Sequence, residues 1–548
     1  MAGKATKEEW FEAVVVGSGF GGSVTAYRLA KGGRKVCLLE RGKRWPPGSF
    51  PRTPYQFSQA LWDPSEGRYG LYDVWFFQHL GAIVSSGLGG GSLIYANVIL
   101  EKPQEWFTEL GKPWPINYDD LKPHYDAVRQ MLEPVEYPEH YARKTPKTRA
   151  FYGAADAAGL KPFYPKLAIT FGKPDEEPGT EFGDPEKNVH GEQRYTCRLV
   201  GECNVGCNYG SKNSLDFTYL SKAESELDIR CLHEVKSFGR CQGGFRIEVV
   251  DHSKSVEAGP NRRIPPERKM IFAERLILAA GTLGTPYLLL RNRSAFPNLP
   301  PRLGTCFTGN GDFIAFAARS RFPMDPSRGP VITAAFRVDE GNQGEGGYCI
   351  EDGGYADFLA WVGEIAALPR FAWAGRRTGL KLGWGRLRHR LDPNLSGEVA
   401  ALLGAPRLAG GTLPLLGMGR EPPRGRMKLR NGLLDVEWSF DEARAYLSRI
   451  RSTLRILTAG LGAEFVDNIL WRLNANVTAH PLGGCPLGET WEQGVVDPET
   501  GQVHGYPGLH VADGSVMPGT VGANPSLTIA AVADRFADAI LSGNAPVP

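Results

Sequence analysis

The chain has 548 residues, 42% of them hydrophobic and 22% charged, with 63 Lys and Arg set against 60 Asp and Glu. Such a length exceeds one hydrophobic core, so two domains, or one discontinuous pair with room to bury a cofactor, are expected. A net charge of +3 gives nucleic-acid binding no global electrostatic support, and no run of about 18 apolar residues reads as a membrane span.

The opening, MAGKATKEEWFEAVVVGSGFGG, holds neither an apolar signal core nor paired arginines, so the cytoplasm is the default compartment. In that setting the nine cysteines are expected as thiols or ligands rather than disulfides. An apolar strand, 13–16, leads into Gly17-x-Gly19-x-x-Gly22, then a helix, then a second strand, 35–39, that ends at Glu40. This is a complete βαβ dinucleotide-binding pattern. Gly17 permits the tight turn, Gly19 lets backbone approach a pyrophosphate, Gly22 lets helix and strand pack closely, and Glu40 meets the ribose hydroxyls. Its place at the N-terminus favours FAD over NAD.

A second glycine cluster, SSGLGGGSLIYANV at 85–98, brings Gly89, Gly90, Gly91 and Ser92 to a place where bare backbone can press on a flat ring or a phosphate. Residues 118–132 read as a helix. Three cysteines follow at Cys197-x5-Cys203-x3-Cys207, with glycines that let the chain wrap. Soft thiolates in that number suit an iron–sulfur centre, zinc lacks an evident fourth partner, and buried thiols also serve as small hydrophobes. A strand at 276–279 precedes Gly281, with a helix expected to begin near Thr285-Pro286.

From 365 to 391 seven Lys or Arg residues and no acid are interleaved with Phe371, Trp373 and Trp384, a composition suited to an anionic membrane surface. Two short strands joined at Arg430-Asn431-Gly432 read as a hairpin, and Asp441 is expected to cap the helix after it. Near the end, NVTAHPLGGCPLG holds His480 on a stiff backbone before proline, and a histidine suits proton abstraction from a hydroxyl. The last segment, LHVADGSVMPGTVGANPSLTIAA, passes an Asp513-Gly514-Ser515 expected to be exposed, and enters a long amphipathic helix after Asn524-Pro525.

The motifs VVVGSGFGGSV, LLERG, GLGGGSL, HPLGGC and DGSVMPGTVGANPSLTIAA together resemble the glucose–methanol–choline (GMC) oxidoreductases, most closely the cholesterol oxidase branch. The resemblance implies an α/β fold. A Rossmann-like FAD-binding domain is assembled from 1–110, 195–315 and 470–548, and a mixed-sheet substrate domain from 111–194 and 316–469. It places FAD contacts at Phe20, Glu40, Gly91, Val235, Gly514 and Ser526, and the catalytic pair at His480 and Asn524. Glu351 is the nearest candidate for the further glutamate by which that branch shifts a steroid double bond, although Glu351-Asp352 also reads as a solvated acidic turn. Tyr95 stands where the branch often has asparagine, and 320–465 matches only loosely.

The activity implied is FAD-dependent oxidation of a hydrophobic alcohol, with oxygen or an electron-accepting protein as partner and peripheral membrane contact through 365–391. Two alternatives keep the flavin: a polyol or sugar dehydrogenase passing electrons through a three-iron cluster on the cysteines, and an isomerase without net oxidation. A noncatalytic flavin-binding module is a third.

Overall fold

β1 (Trp10–Val16) is buried along its whole second half, as a strand flanked on both faces by other layers must be. In the computed structural model the described residues are 9–547, apart from 54–55, 57–58, 110–111, 260–263, 340–345 and 357–411. After β1 come α1 (Phe20–Lys31), β2 (Val36–Leu39), the antiparallel pair β3 (Tyr72–Phe76) and β4 (Leu80–Ser85), and the helices α2 (Tyr118–Leu132) and α3 (Pro146–Ala157). Asn117 and Asp120 close a reciprocal capping box on α2, so that helix starts where its periodicity predicts. The chain continues through β5 (Leu227–Arg230), β6 (His233–Cys241), β7 (Gly244–Asp251), β8 (Glu267–Leu278) and α4 (Gly281–Arg291).

The second unit begins with β9 (Phe313–Ala318), β10 (Ala335–Val338), β11 (Tyr348–Asp352) and β12 (Leu413–Gly419). The hairpin β13 (Arg426–Arg430) and β14 (Leu433–Glu437), the 21-residue α5 (Phe440–Gly460) and β15 (Glu464–Asp467) complete it. Asn431 and Gly432 both take positive φ, 53° and 78°, the geometry a two-residue hairpin turn demands. The cap of α5 is Ser439, whose hydroxyl accepts from the Glu442 amide, and not Asp441, which lies within the first turn, at the positive end of the helix dipole. The chain returns through β16 (Asn476–Thr478), β17 (Leu509–Val511) and α6 (Ser526–Leu541).

One sheet runs β5-β2-β1-β8-β7-β6, with β17 pairing β8. β1 pairs in parallel with β2 and β8, as do β2 with β5 and β8 with β17. α1, α2 and α6 are stitched together: Arg28 pairs with Asp534 and Asp538, His124 Nδ1 lies 2.7 Å from Asp534, and the Tyr125 and Thr528 hydroxyls are 3.1 Å apart. The second sheet runs β10-β11-β12-β9-β15, all antiparallel. Alternation divides its faces. Ile350, Leu415, Ala315, Ala317 and Phe336 share a core with Ile450, Leu454 and Leu457 of α5, while Glu351, paired with Leu416, looks the other way. The basic, aromatic stretch 365–391 lies outside the described residues.

Candidate active site

The dinucleotide cradle is made of backbone. Gly17 sits at φ +99°, and a Cβ there would lie 2.3 Å from the Ala279 carbonyl oxygen; one on Gly22 would lie 1.9 Å from the Gly17 oxygen. The glycines at these two places let α1 dock against β1 and β8. At Gly19 and Gly91 an added Cβ would meet nothing within 4 Å, so both backbones border open space. α1 begins at Phe20 with no side chain capping it, leaving its first amides pointing at that space.

Glu40 closes the end of β2: one carboxylate oxygen accepts from the Ser18 amide (3.0 Å) and hydroxyl (2.6 Å), the other from the Gly42 amide (2.8 Å). The Ser18 hydroxyl in turn accepts from Gly89 N at 3.0 Å. A Cβ on Gly90, at φ +52°, would touch Gly19 Cα at 2.5 Å, so the two glycine loops lie back to back. Ser92 faces inward: it donates to Gly89 O (2.7 Å) and accepts from Leu215 N (3.0 Å). Val235 is buried in β6 beside a bulge, two residues from the His233 amide that donates to Glu40 O.

Asp513, Gly514 and Ser515 are buried, not exposed. The reason lies across the fold: one Asp513 oxygen accepts from the Gly281 amide (2.9 Å) and the Thr285 hydroxyl (2.5 Å), the other from Ser515 N (2.8 Å). That carboxylate starts α4 at Gly281, four residues ahead of the expected Thr285-Pro286. A Cβ on Gly514 would crowd the Thr282 hydroxyl at 2.8 Å. Ser526, first residue of α6, donates to Val98 O at 3.3 Å.

His480 is held by a residue that the sequence did not single out. Asp312 stands just before β9, and its Oδ1 lies 2.8 Å from His480 Nδ1. Its Oδ2 accepts from the Thr478 hydroxyl (2.9 Å), Ala479 N (2.9 Å) and His480 N (3.2 Å). With Nδ1–H given to the carboxylate, Nε2 is left as the ring nitrogen able to accept a proton. Burial pulls the imidazole pKa down, but the charge of Asp312 and its hydrogen bond outweigh that, and the net shift is upward.

Asn524 comes to the same place on a clasped loop. Asn310 Oδ1 accepts from Val521 N (3.0 Å) and Gly522 N (2.9 Å), and its Nδ2 donates to Ala523 O (2.9 Å). Asn524 Nδ2 donates weakly to Glu351 Oε2 at 3.4 Å. Glu351 is fully buried in a strand, so the solvated-turn reading is overturned. Burial pushes its pKa up to about 8, against smaller opposing pulls from Asn524 and His480. Glu351 Oε1, Asn524 Oδ1, Tyr95 Oη and Ser515 Oγ are buried without a hydrogen-bond partner. Such orphaned polar atoms, with the open space at Gly19 and Gly91, fit a polar, flat dinucleotide.

Cys197 and Cys203 lie in a small apolar cluster with Val98, Tyr137, Leu167 and Ile169, and Cys207 is half-buried. Burial raises both buried thiols, which favours the uncharged form. The three thiols are near enough to act on one another electrostatically, while the group of described residues whose ligand atoms gather within 4.8 Å is His124, Asp534 and Asp538, the two aspartates already paired with Arg28. The loop is tied to the glycine cluster: buried Lys212 donates to Leu93 O (3.0 Å), Tyr95 O (2.9 Å) and Cys203 O (2.9 Å).

Residues 436–533 match the GMC oxidoreductase family, and 15–49 the NAD(P)-binding Rossmann-like domain. The chain is similar to the cholesterol oxidase of Mycobacterium tuberculosis, 30% identical across 96% of this chain and 90% of that one. It is 28% identical to the cholesterol oxidase of Acinetobacter baumannii across 96% and 93%. A long-chain-alcohol oxidase of Arabidopsis thaliana is 24% identical across 95% and 66%. Among solved structures, formate oxidase of Aspergillus oryzae shares the fold at a TM-score of 0.61 and 15% identity, covering 98% of this chain and 99% of that one.

Proposed function

Because the chain belongs to the GMC oxidoreductase family, in its cholesterol oxidase branch, and is an FAD-dependent enzyme acting on CH–OH groups, we propose that it oxidises the hydroxyl of a hydrophobic alcohol, steroid-like or long-chain, to a carbonyl with oxygen as acceptor. The observation that carries this reading is the meeting of His480, Asp312, Asn524 and Glu351 beside the orphaned polar atoms.

Bound FAD supplies the hydride acceptor. His480 Nε2 takes the hydroxyl proton as the carbon–hydrogen bond breaks, and Asp312 balances the imidazolium that forms. Asn524 Nδ2 holds the substrate oxygen. Glu351, carrying a proton near neutrality, leaves an uncharged wall for an apolar substrate and has a proton to move if a steroid double bond shifts.

Gly17, Gly19, Phe20, Gly22, Gly89, Gly90 and Gly91 line the cradle for FAD. Glu40, Val235, Gly281, Gly514 and Ser526 border it, and Ser92 and Asp513 brace it from behind. The division into FAD-binding segments 1–110, 195–315 and 470–548 and substrate segments 111–194 and 316–469 belongs to this reading, and the two separate sheets support it. No helix among the described residues is long and apolar enough to cross a membrane. The composition of 365–391 supports peripheral contact with a lipid surface that holds the substrate.

The test is anaerobic addition of cholesterol, a long-chain alcohol and a polyol to the holoenzyme while flavin absorbance is followed, and then readmission of air. Bleaching by a hydrophobic alcohol, with peroxide on reoxidation, is expected. Bleaching by the polyol alone, or by none of the three, would overturn the reading.

A further inference from the structure

Next to Glu351 stands a second carboxylate that the reaction does not use. β11 places Glu351 and Asp352 on opposite faces of its sheet, and their surroundings differ as sharply as their directions. Glu351 has one weak contact and one oxygen with no partner. Asp352 is saturated. Its Oδ1 accepts from the amides of Thr333 (2.6 Å) and Ala334 (2.8 Å), and its Oδ2 from the Thr333 hydroxyl (2.5 Å) and Lys147 Nζ (2.7 Å). Lys147, in the first turn of α3, also donates to Val331 O (3.0 Å) and the Thr333 hydroxyl (3.3 Å). Both side chains of this pair are 0% exposed.

A buried ion pair is a poor source of stability, because desolvating two charges offsets most of their attraction. Position is what it supplies. β11 ends at Asp352 and Gly353-Gly354 follow, so residue 351 lies one place from the end of a buried strand paired on both sides. Besides the side chain, the Asp352 amide donates to Ala334 O (3.0 Å) and the Gly353 amide to Pro414 O (2.8 Å). The charges acting on Glu351 from the packed elements are those of His480, Asp352 and Asp312. Arg337 of β10 lies beyond Cys349 on the same face.

We propose that Lys147 and Asp352 are positioning residues for Glu351: their buried pair clamps the end of β11, so that residue 351 keeps its carboxyl on the Asn524 side. The inference rests on the reading of Glu351 as the acid of the proposed site.

The test uses the holoenzyme and two measurements apart from turnover: an infrared pH titration of the Glu351 carboxyl band, identified by its loss in Glu351→Gln, and amide exchange across 350–353. In Lys147→Met, and in the charge-free pair Lys147→Met with Asp352→Asn, the band is expected to titrate about one pH unit or more lower, as fraying lets in water. Exchange at 350–353 is expected to rise about tenfold with β1 unchanged. A mere field effect would move the band upward in Lys147→Met and hardly at all in the charge-free pair, with exchange unaltered. That pattern, or no change anywhere, overturns the clamp. Should Lys147→Met not fold, the charge-free pair decides alone. If Glu351→Gln leaves turnover and product as they were, the reading of the site falls, while the double variant's exchange still decides the clamp.

Discussion

The glycine cradle and the reaction cluster solve opposite problems. The cradle, from Gly17 to Gly22 and Gly89 to Gly91, works by lacking side chains, and at Gly17 and Gly22 its tolerance is set by steric distances of 2.3 and 1.9 Å to carbonyl oxygens. The reaction cluster works by burying ionisable side chains whose protons are held by neighbours, so its tolerance is set by charge and hydrogen bonding. The first is therefore expected to fail in binding and folding, the second in rate and pH dependence.

The largest effect is expected where the cradle has no slack. Gly17→Val sets a branched side chain against the Ala279 carbonyl at a positive φ. It should cost about 3 kcal/mol or more and leave the purified protein without flavin. Urea unfolding and the flavin absorbance per chain check this, and a yellow, stable variant would break the contrast.

Asp312→Asn should leave flavin content and stability closer to the native values, and lower the rate of substrate-driven bleaching about a hundredfold. Removing the charge also removes what lifts His480, so the rise of that rate with pH should move to lower pH. Stopped-flow reduction across pH reports both.

The third effect is thermodynamic. Glu351 binds its proton more tightly folded than unfolded, so its contribution to stability is present below the ordinary value of 4.5 and lost as pH rises through about 8. Glu351→Gln should flatten that decline in unfolding free energy while the cradle keeps its flavin. An unchanged pH dependence would show that residue 351 is not the buried acid.

Legibility in the sequence followed the same division. The pattern from β1 to Glu40 could be read because turn, helix start and the acid that ends β2 lie within one short run, and Asn431-Gly432 because a turn is a property of adjacent residues. The helix at 281 was misplaced because Asp513, which holds its start, is 232 residues away. Asp312 was missed for the same reason. Gly-Asn-Gly-Asp before an apolar strand resembles any polar turn until His480 is brought against it. Composition could not separate Glu351 from Asp352 either, since two adjacent acids look alike until a sheet turns one toward Asn524 and the other toward Lys147.

The amino-acid sequence by itself determined the nucleotide cradle, the order of the motifs and the chemistry of the residues offered for reaction, because these depend on local backbone freedom and side-chain type. Only the tertiary structure decided which nitrogen of His480 is held, which acid burial favours in its protonated form, and that Lys212 ties the cysteine loop to the glycine loop. Each of those depends on partners and on exclusion of water, and a folded chain sets both at a distance.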